Sequence, residues 1–130
     1  MVYFVTWCLH RTQRRLASDE RTVVVSAIRH FDRSRYRLIA YVVMDDHVHV
    51  ICRPNSERLE NLVRSWKSYS AYRMQREFGR IGRVWQNEYH DRIIRSGAEL
   101  RRKIAYVLNN PFRRWPTATH YSWVWSIASG

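Results

Sequence analysis

The sequence predicts an α+β fold of the ferredoxin-like split βαβ type, with an antiparallel sheet, helices on one face and one added C-terminal helix. Two observations predict it. Runs rich in β-branched and aromatic residues alternate with runs whose apolar residues recur at helical spacing. Their order along the chain is β-α-β-β-α-β-α, which is the ferredoxin-like order with an extra helix. A length of 130 residues suits one domain, which we expect to span residues 1–130.

A strand and a helix are predicted at the start of the chain. Tyr3 to Leu9 is rich in aromatic and β-branched residues, which favour a strand. After a basic loop, Ser18 is a candidate N-cap, with acidic Asp19 and Glu20 in the first helical turn. The helix that follows has apolar residues at helical spacing, so we expect one face to pack on the sheet. These apolar residues are Val24, Ala27, Ile28 and Phe31.

Two strands and a long helix follow. The apolar run Leu38 to Met44 is separated from a strictly alternating run by Asp45-Asp46, which indicates two strands joined by a tight turn. Asn55 or Ser56 is then expected to cap a long helix that ends near Gly79. The predicted buried stripe of this helix consists of Leu59, Leu62, Val63, Trp66 and Tyr69.

A short strand, a helix and an aromatic tail complete the chain. Tyr89 to Arg95 indicates the strand, and Ser96 with Glu99 forms a capping box for the helix. The apolar stripe of this helix consists of Leu100, Ile104, Val107 and Leu108. We expect Asn110-Pro111 to end it, because proline cannot donate a helical hydrogen bond. Residues 116–130 form an aromatic tail that we expect to pack on the domain.

The composition favours a nucleic-acid partner. A total of 23 Lys+Arg against 11 Asp+Glu gives a net charge of +12, nearly all of it on arginine, which binds phosphate and stacks on bases. Aromatic residues make up 14% of the chain, and cations mixed with aromatics suit single-stranded nucleic acid. The N-terminal apolar stretch is too short for a secretory signal or a membrane span, and we expect no membrane partner. Cys8 and Cys52 lack disulfide or zinc spacing, so we expect reduced, buried thiols in a cytoplasmic protein.

A pair of histidines is the first candidate site. His47 and His49 are two positions apart on a predicted strand, so both imidazoles project from the same face. Two nitrogen donors held on rigid backbone are suited to a metal ion. The alternative is two polar residues on the solvated face of a sheet.

A tyrosine on the last helix is the second candidate. Tyr106 points away from the mean direction of the apolar stripe, and Arg102 and Lys103 lie one turn before it, with Asn110 one turn after it. A tyrosine hydroxyl among cations is suited to attack on phosphorus, because a free phenol with a pKa of about 10 needs positive surroundings. The alternatives are a tyrosine that only packs at a helix end, and Tyr89 as the nucleophile.

Together these stretches resemble the single-tyrosine HUH transposases of the IS200-like superfamily, where U is a hydrophobic residue, and among them the REP-associated branch most. The pattern His47-Val48-His49 on a strand, followed by a basic helix with Tyr106 and Asn110, carries the resemblance. The similar segments, in the same order, are YFVTWCLHR, MDDHVHVICRP, WQNEYHDRIIR, IAYVLNNPFRR and HYSWVWS. Many relatives have Pro-Asn in place of Asp45-Asp46, and this chain lacks the basic segment that commonly precedes the first strand in relatives.

The resemblance implies a metal-dependent endonuclease and strand transferase for single-stranded DNA. His47 and His49 would bind Mg²⁺ or Mn²⁺ with Asn110 as third ligand; Asn109 is the alternative, and Asp46 is a less favoured extra ligand. A nucleophilic tyrosine at position 106 would form a 5′-phosphotyrosine and release a 3′-OH. The implied substrate is hairpin or palindromic DNA, bound by a monomer or a homodimer. The resemblance also implies a bacterial protein associated with the nucleoid. The cationic residues expected to contact DNA are Arg102, Lys103, Arg113, Arg14, Arg15 and Arg83.

Two other functions remain open on the sequence. Ferredoxin-like sheets also form non-catalytic nucleic-acid-binding modules, but no strand here carries the basic-glycine-aromatic string of RNA-recognition domains. The other function is that of an HUH replication initiator or relaxase, with the same chemistry in a different process. The sequence also leaves open whether the tyrosine serves the histidines of its own chain or those of a partner.

Overall fold

The computed structural model describes residues 1–128 and has an α+β fold, which confirms the predicted class. In chain order the elements are β1 (Val2–Cys8), α1 (Ser18–Arg29), β2 (Tyr36–Val43), β3 (His47–Pro54), α2 (Leu59–Phe78), β4 (His90–Ile94), α3 (Gly97–Arg114) and β5 (Val124–Ser126). The four predicted strands lie within two residues of β1 to β4. Within the described range, no helix has the length and apolar character needed to cross a bilayer.

The sheet is antiparallel, with the strand order β4-β1-β3-β2-β5. The central strand is therefore β3, which carries the two histidines. The predicted tight turn joins it to β2: the Met44 N–H donates to the carbonyl of His47 at 2.8 Å, leaving Asp45 and Asp46 as the loop residues. A two-residue loop fixes the register of the hairpin, and thereby the face on which each histidine lies.

The two faces of the sheet are covered by different helices. On one face, α1 and α2 bury Ile28 and Trp66 in a core with the strand residues Val48 and Val50. On the opposite face, the added helix α3 buries Val107 in a second core. That second core contains Ile51, so His47 and His49, which share its parity along β3, face α3.

The N-cap predictions for the first two helices are wrong, by one residue for α1 and by two or three residues for α2. The N-cap of α1 is Ala17, and its N–H donates to the carboxylate of Glu20 at 3.0 Å, so Ser18 is already helical. The N-cap of α2 is Arg58 rather than Asn55 or Ser56. The side chain of Asn55 instead donates to the Ser34 carbonyl at 2.9 Å, which holds it in the loop after β3.

Two other expectations for the helices are wrong. Tyr69 is 48% exposed, and the buried stripe of α2 continues from Trp66 through Ser70 and Met74, which follow at intervals of four. Asn110-Pro111 does not end α3, which continues to Arg114. Proline removes one N–H donor, and the next turn is held by the hydrogen bond from the Trp115 N–H to the Pro111 carbonyl, 2.8 Å.

The aromatic tail contains a strand that the sequence did not indicate. Residues 124–126 form β5, which pairs with β2 at the edge of the sheet. The hydroxyl of Tyr121 donates to the Val43 carbonyl at 2.5 Å, and the Tyr121 ring stacks on Trp115 with 5.5 Å between centroids. These contacts join the tail to β2 and to the end of α3. Residues 129 and 130 of the predicted tail lie outside the described residues.

Candidate active site

The two histidines lie side by side between β3 and α3. Their ring centroids are 4.7 Å apart. In the ladder with β1, His49 is opposite Thr6 and His47 is opposite Cys8. Because β3 is central and paired on both sides, the backbone that carries both imidazoles is held by hydrogen bonds to two neighbours.

His47 is oriented by a carboxylate and points at an amide oxygen. Its Nδ1 lies 2.7 Å from Oδ1 of Asp46, and its Nε2 lies 3.2 Å from Oδ1 of Asn110. An ionised carboxylate can only accept, so Nδ1 carries the proton of the neutral ring and Nε2 presents a lone pair. With the amide oriented as in the structure, two acceptor atoms of His47 and Asn110 face each other, an arrangement that a cation between them would stabilise.

Asp46 is ionised in this arrangement. Burial alone would raise the pKa of Asp46, but the hydrogen bond to His47 and the charges of Arg114 and Arg15 lower it below its usual value. Arg15 lies 3.1 Å from Oδ2 of Asp46, and Arg114 lies 3.1 Å from Oδ1 of the neighbouring Asp45. The ionised carboxylate thus fixes the orientation of the His47 ring.

His49 is buried, neutral and only half satisfied. Its Nδ1 lies 2.7 Å from Oγ1 of Thr6, whereas its Nε2 is buried and has no hydrogen-bond partner among the described residues. Burial, together with the nearby His47 and Lys103, lowers the pKa of His49 to about 3, so the ring is neutral at pH 7. A neutral imidazole with one nitrogen fixed by a hydroxyl and the other unpaired has the form of a metal ligand.

The donor set around the pair fits a divalent ion. It consists of Nε2 of His47, Nε2 of His49 and the amide oxygen of Asn110. Asn110 is 9% exposed and reaches the pair, whereas Asn109 is exposed and Asp46 is engaged with Nδ1 of His47. Within residues 1–128 no three His, Cys, Asp or Glu side chains cluster as a metal site, so a site here requires the amide. Nitrogen and oxygen donors without thiolate suit magnesium, manganese and other borderline ions.

Tyr106 lies at the edge of the same site. Its ring centroid is 5.4 Å from that of His49 and 6.0 Å from that of Phe4, and the residue is 39% exposed. Nζ of Lys103 and Cζ of Arg113 lie 5.9 and 5.7 Å from the centre of the Tyr106 ring. The tyrosine is therefore beside the histidines, reachable from solvent and close to two cations.

The other cations expected at the site are distributed unevenly. Arg102 is exposed, and its charge acts on Glu99. Arg15 reaches the site indirectly through Asp46, whereas Arg14 lies 3.8 Å from Glu20. Arg83 lies further along the chain in the loop after α2, where its guanidinium donates to the side chain of Asn87. The structure therefore brings Lys103 and Arg113 to Tyr106.

The alternative nucleophile, Tyr89, lies on the other side of the sheet. His90 is paired with Thr6, so the preceding residue projects from the opposite face. The Tyr89 ring packs against the core formed with α1 and α2, and burial raises the pKa of its hydroxyl, with Asp91 adding to the effect. The structure therefore brings Tyr106, and not Tyr89, to the histidine pair.

Sequence reasoning missed Thr6, Phe4 and Arg114 as residues of this site. Thr6 meets His49 only through strand pairing between residues 43 positions apart. The alternation of β1 does indicate that Phe4 and Thr6 lie on one face of the strand. The sequence does not indicate the register that aligns this face with the histidines of β3.

Comparison with known proteins identifies the family. The family model described as "Transposase IS200 like" matches residues 1–110, which include β1 to β4 and most of α3. The chain belongs to the IS200-like transposase family. The predicted resemblance is thereby confirmed, and membership places the protein among transposases, a class of DNA-cleaving enzymes.

Solved structures share the fold of this IS200-like chain. A REP-associated tyrosine transposase bound to a REP hairpin is similar with a TM-score of 0.71 and 22% identity, over 87% of this chain and 67% of that chain. A proposed transposase from Deinococcus radiodurans R1 is similar with a TM-score of 0.62 and 20% identity, over 85% and 89% of the two chains. At these identities the likeness establishes the fold alone. No curated protein matches the chain.

Proposed function

We propose that the protein is a metal-dependent endonuclease and strand transferase for single-stranded DNA, with Tyr106 as its nucleophile. The observation that carries the proposal is the meeting of two separate elements. The histidine pair on β3 and the tyrosine on α3 lie with 5.4 Å between the rings of His49 and Tyr106. Nε2 of His49 has no hydrogen-bond partner among the described residues, and Tyr106 beside it is 39% exposed.

His47, His49 and Asn110 are the residues that would hold Mg²⁺ or Mn²⁺. Such an ion, when bound, would polarise the scissile phosphate and neutralise part of its charge. Asp46 and Thr6 orient the two rings through their Nδ1 atoms, 2.7 Å away in each case, so that both Nε2 atoms are available as ligands. The buried, unpaired Nε2 of His49 is the feature that fits this use best.

Tyr106 would attack the phosphorus of the DNA backbone. Lys103 and Arg113 attract the phosphate, because both carry their charge within 6 Å of the ring. The bond from the tyrosine oxygen to phosphorus forms as the bond from phosphorus to the 3′-oxygen breaks. The tyrosine hydroxyl gives up its proton to solvent, and the leaving 3′-oxygen takes up a proton. The products are a 5′-phosphotyrosine and a free 3′-OH. Attack by another 3′-OH reverses the step and joins strands without ATP.

A DNA hairpin with a single-stranded flank is the proposed substrate. The similar REP-associated tyrosine transposase is bound to a REP hairpin, and the net charge of +12 suits a polyanion. One chain contributes both the histidines and the tyrosine, so we propose that a monomer forms a complete site within a single domain of residues 1–130.

A labelled hairpin oligonucleotide tests the proposal. With Mn²⁺, the wild-type protein should form a covalent adduct with the 3′-labelled fragment, visible as a band shift on a denaturing gel, and should release the 5′-labelled fragment with a free 3′-OH. Tyr106→Phe removes one oxygen and should abolish the adduct while leaving binding of the hairpin intact. Tyr89→Phe is the matched control and should retain the adduct, because that ring lies on the opposite face of the sheet. An adduct that persists in Tyr106→Phe and disappears in Tyr89→Phe would refute the assignment.

A further inference from the structure

Three neighbouring cavities lead from the histidine pair to the outer side of α2. The first, of about 420 Å³, is lined by His47 and Asp46; the second has about 290 Å³; the third, beside α2, has about 590 Å³. The first and second share His10 and Arg11, the second and third share Arg83 and Asn87, and Gln86 lines all three. We call these three adjoining cavities, which extend from His47 to Tyr89, the flank groove.

Of the described cations that line the flank groove, only Arg15 has carboxylate partners, Asp45 and Asp46. Among the described residues, no carboxylate lies within ion-pair distance of Arg11, Arg64, Lys67 or Arg83, which all line it. The carboxylates in its walls are Asp46, Glu60 and Glu88, and the first two are already paired with arginines. The groove therefore offers a row of positive charge to an anionic ligand.

Lys67 is the most informative of these cations. Its Nζ donates to the carbonyls of Gln86 and Asn87 at 2.7 and 3.0 Å, so it is fixed in place by neutral partners. Burial and the charge of Arg83 lower the pKa of Lys67, which shows that its surroundings disfavour the positive charge. A phosphate beside it would stabilise the charged form.

The rest of the wall suits unpaired bases. Tyr89 presents a half-buried ring in the third cavity, and the amides of Gln75, Gln86 and Asn87 line the same space. Single-stranded nucleic acid is bound by grooves that combine cations along the backbone with aromatic rings for the bases. In duplex DNA the bases are stacked and paired, so neither the ring nor the amides could reach them.

We propose that the flank groove holds the single-stranded DNA that continues from the hairpin past the cleavage site. The inference rests on the proposed function at one end, where the first cavity reaches His47 and Asp46. At the other end, the groove would guide the DNA strand from the site toward the face of the protein that α2 covers. The affinity should then increase with the length of the single-stranded flank and not depend on the hairpin alone.

Binding measured at several salt concentrations tests the path. In a Tyr106→Phe background, which prevents cleavage, fluorescence anisotropy compares a hairpin without a flank and hairpins with flanks of increasing length. The double variant Arg64→Gln/Arg83→Gln should lose the advantage of the flank. For the flanked hairpin, the slope of log binding constant against log salt concentration should become about 1.4 less negative, because each lost phosphate contact on a single strand contributes about −0.7.

A second pair of arginines outside the groove is the matched control. Arg33→Gln/Arg76→Gln removes the same charge from exposed positions that line none of the three cavities and should change the slope less. Equal losses in both double variants, or a blunt duplex that competes as well as the flanked hairpin, would overturn the inference. Photocrosslinks from 4-thiothymidine in the flank should map to residues 83–89; crosslinks only to Tyr69 or Tyr72 would also overturn it.

The two proposals fail separately. If wild-type protein forms the Mn²⁺-dependent adduct but the slope is unchanged in Arg64→Gln/Arg83→Gln, the groove is refuted and the cleavage proposal stands. If no adduct forms on any hairpin but the slope falls and residues 83–89 crosslink, the groove stands as a DNA-binding surface and the cleavage proposal is refuted.

Discussion

Two buried polar clusters differ in how completely their hydrogen-bonding groups are paired. In the first, Arg80 and Glu20 have side chains that are 0% and 1% exposed. All five N–H groups of the Arg80 guanidinium have acceptors: both carboxylate oxygens of Glu20, the side chain of Gln13 and the carbonyls of Arg14 and Arg15. In the second, Nε2 of His49 has no partner within residues 1–128, and Nε2 of His47 faces another acceptor.

The difference separates a structural cluster from a binding site. An unpaired buried polar group costs about 1–3 kcal/mol, and a ligand that pairs with the group when bound can offset this cost. The Arg80 cluster needs no further partner, and it holds the backbone of Arg14 and Arg15, the loop from which Arg15 reaches Asp46. Removing groups from the satisfied cluster should reduce stability, and removing groups from the unsatisfied cluster should reduce activity.

The largest expected effect is on activity. His47→Ala or His49→Ala should abolish the Mn²⁺-dependent DNA adduct, because each variant removes one of the three donors to the ion. His47 is partly exposed, with 23% of its side chain accessible, so the midpoint of thermal unfolding of His47→Ala should stay close to that of the wild type. Titration of Mn²⁺ by calorimetry should show lost binding. His120→Ala, an exposed histidine of the tail, is the control.

Excess chelator should have the same effect on wild-type protein as either histidine variant. Cleavage that persists in chelator, or in both variants, would mean that the unpaired nitrogens are not metal ligands.

The next effect is on stability. Glu20→Gln leaves the buried charge of Arg80 without its counter-ion, which should lower the free energy of unfolding by about 3–5 kcal/mol in urea denaturation at pH 7. Glu60→Gln is the matched control: its pair with Arg58, 2.7 Å apart, has side chains 79% and 44% exposed, and it should lose less than about 1 kcal/mol. Similar midpoints for the two variants would contradict the structural role.

The same variant predicts a pH dependence. Burial raises the pKa of Glu20, but hydrogen bonds from Arg80 and the Ala17 N–H lower it below the usual value overall. The stability from a carboxylate with a lowered pKa is complete above the unfolded value of about 4.3 and is lost as the pH falls through the folded value. The advantage of wild type over Glu20→Gln should therefore be constant near neutrality and shrink in acid.

The sequence predicted the donors of the site because they depend on local periodicity. A spacing of two on a strand puts His47 and His49 on one face, and a spacing of four on a helix brings Tyr106 and Asn110 together, whatever else the chain does. Arg113 reaches Tyr106 only because α3 continues past Pro111, where the sequence predicted its end.

Contacts between distant segments could not be predicted in the same way. Thr6 meets His49, and Arg80 meets Glu20, through pairings set by the whole fold. An isolated arginine in a loop after a helix looks like any other of the many arginines here, so its burial had no sequence signal. The strand β5 has only three residues, too few for a period to be recognised.

A smaller effect is expected at the carboxylate behind His47. Asp46→Asn keeps an acceptor for Nδ1 of His47 but removes its charge, and changes of this kind typically cost about 10–100-fold in metal affinity or activity. The adduct should form at a higher Mn²⁺ concentration and reach the wild-type rate when Mn²⁺ is in excess. Asp91→Asn, an exposed carboxylate of β4, should leave the Mn²⁺ dependence unchanged. A loss that excess Mn²⁺ does not restore would indicate that Asp46 acts on the DNA or the fold instead.

The smallest effect is expected at Thr6, and it isolates the hydrogen bond behind His49. Thr6→Val removes the hydroxyl 2.7 Å from Nδ1 while keeping the shape and the strand preference of the side chain. The ring then loses the partner that holds its orientation, a bond worth about 1 kcal/mol, so the Mn²⁺ concentration for half-maximal adduct should rise about fivefold. Thr6→Ser restores the hydroxyl and should restore the wild-type value. If Thr6→Val and Thr6→Ser shift the Mn²⁺ dependence equally, the methyl group and not the hydroxyl matters, and the half-satisfied state of His49 would reflect packing against Phe4, 5.2 Å away, and not readiness for a metal ion.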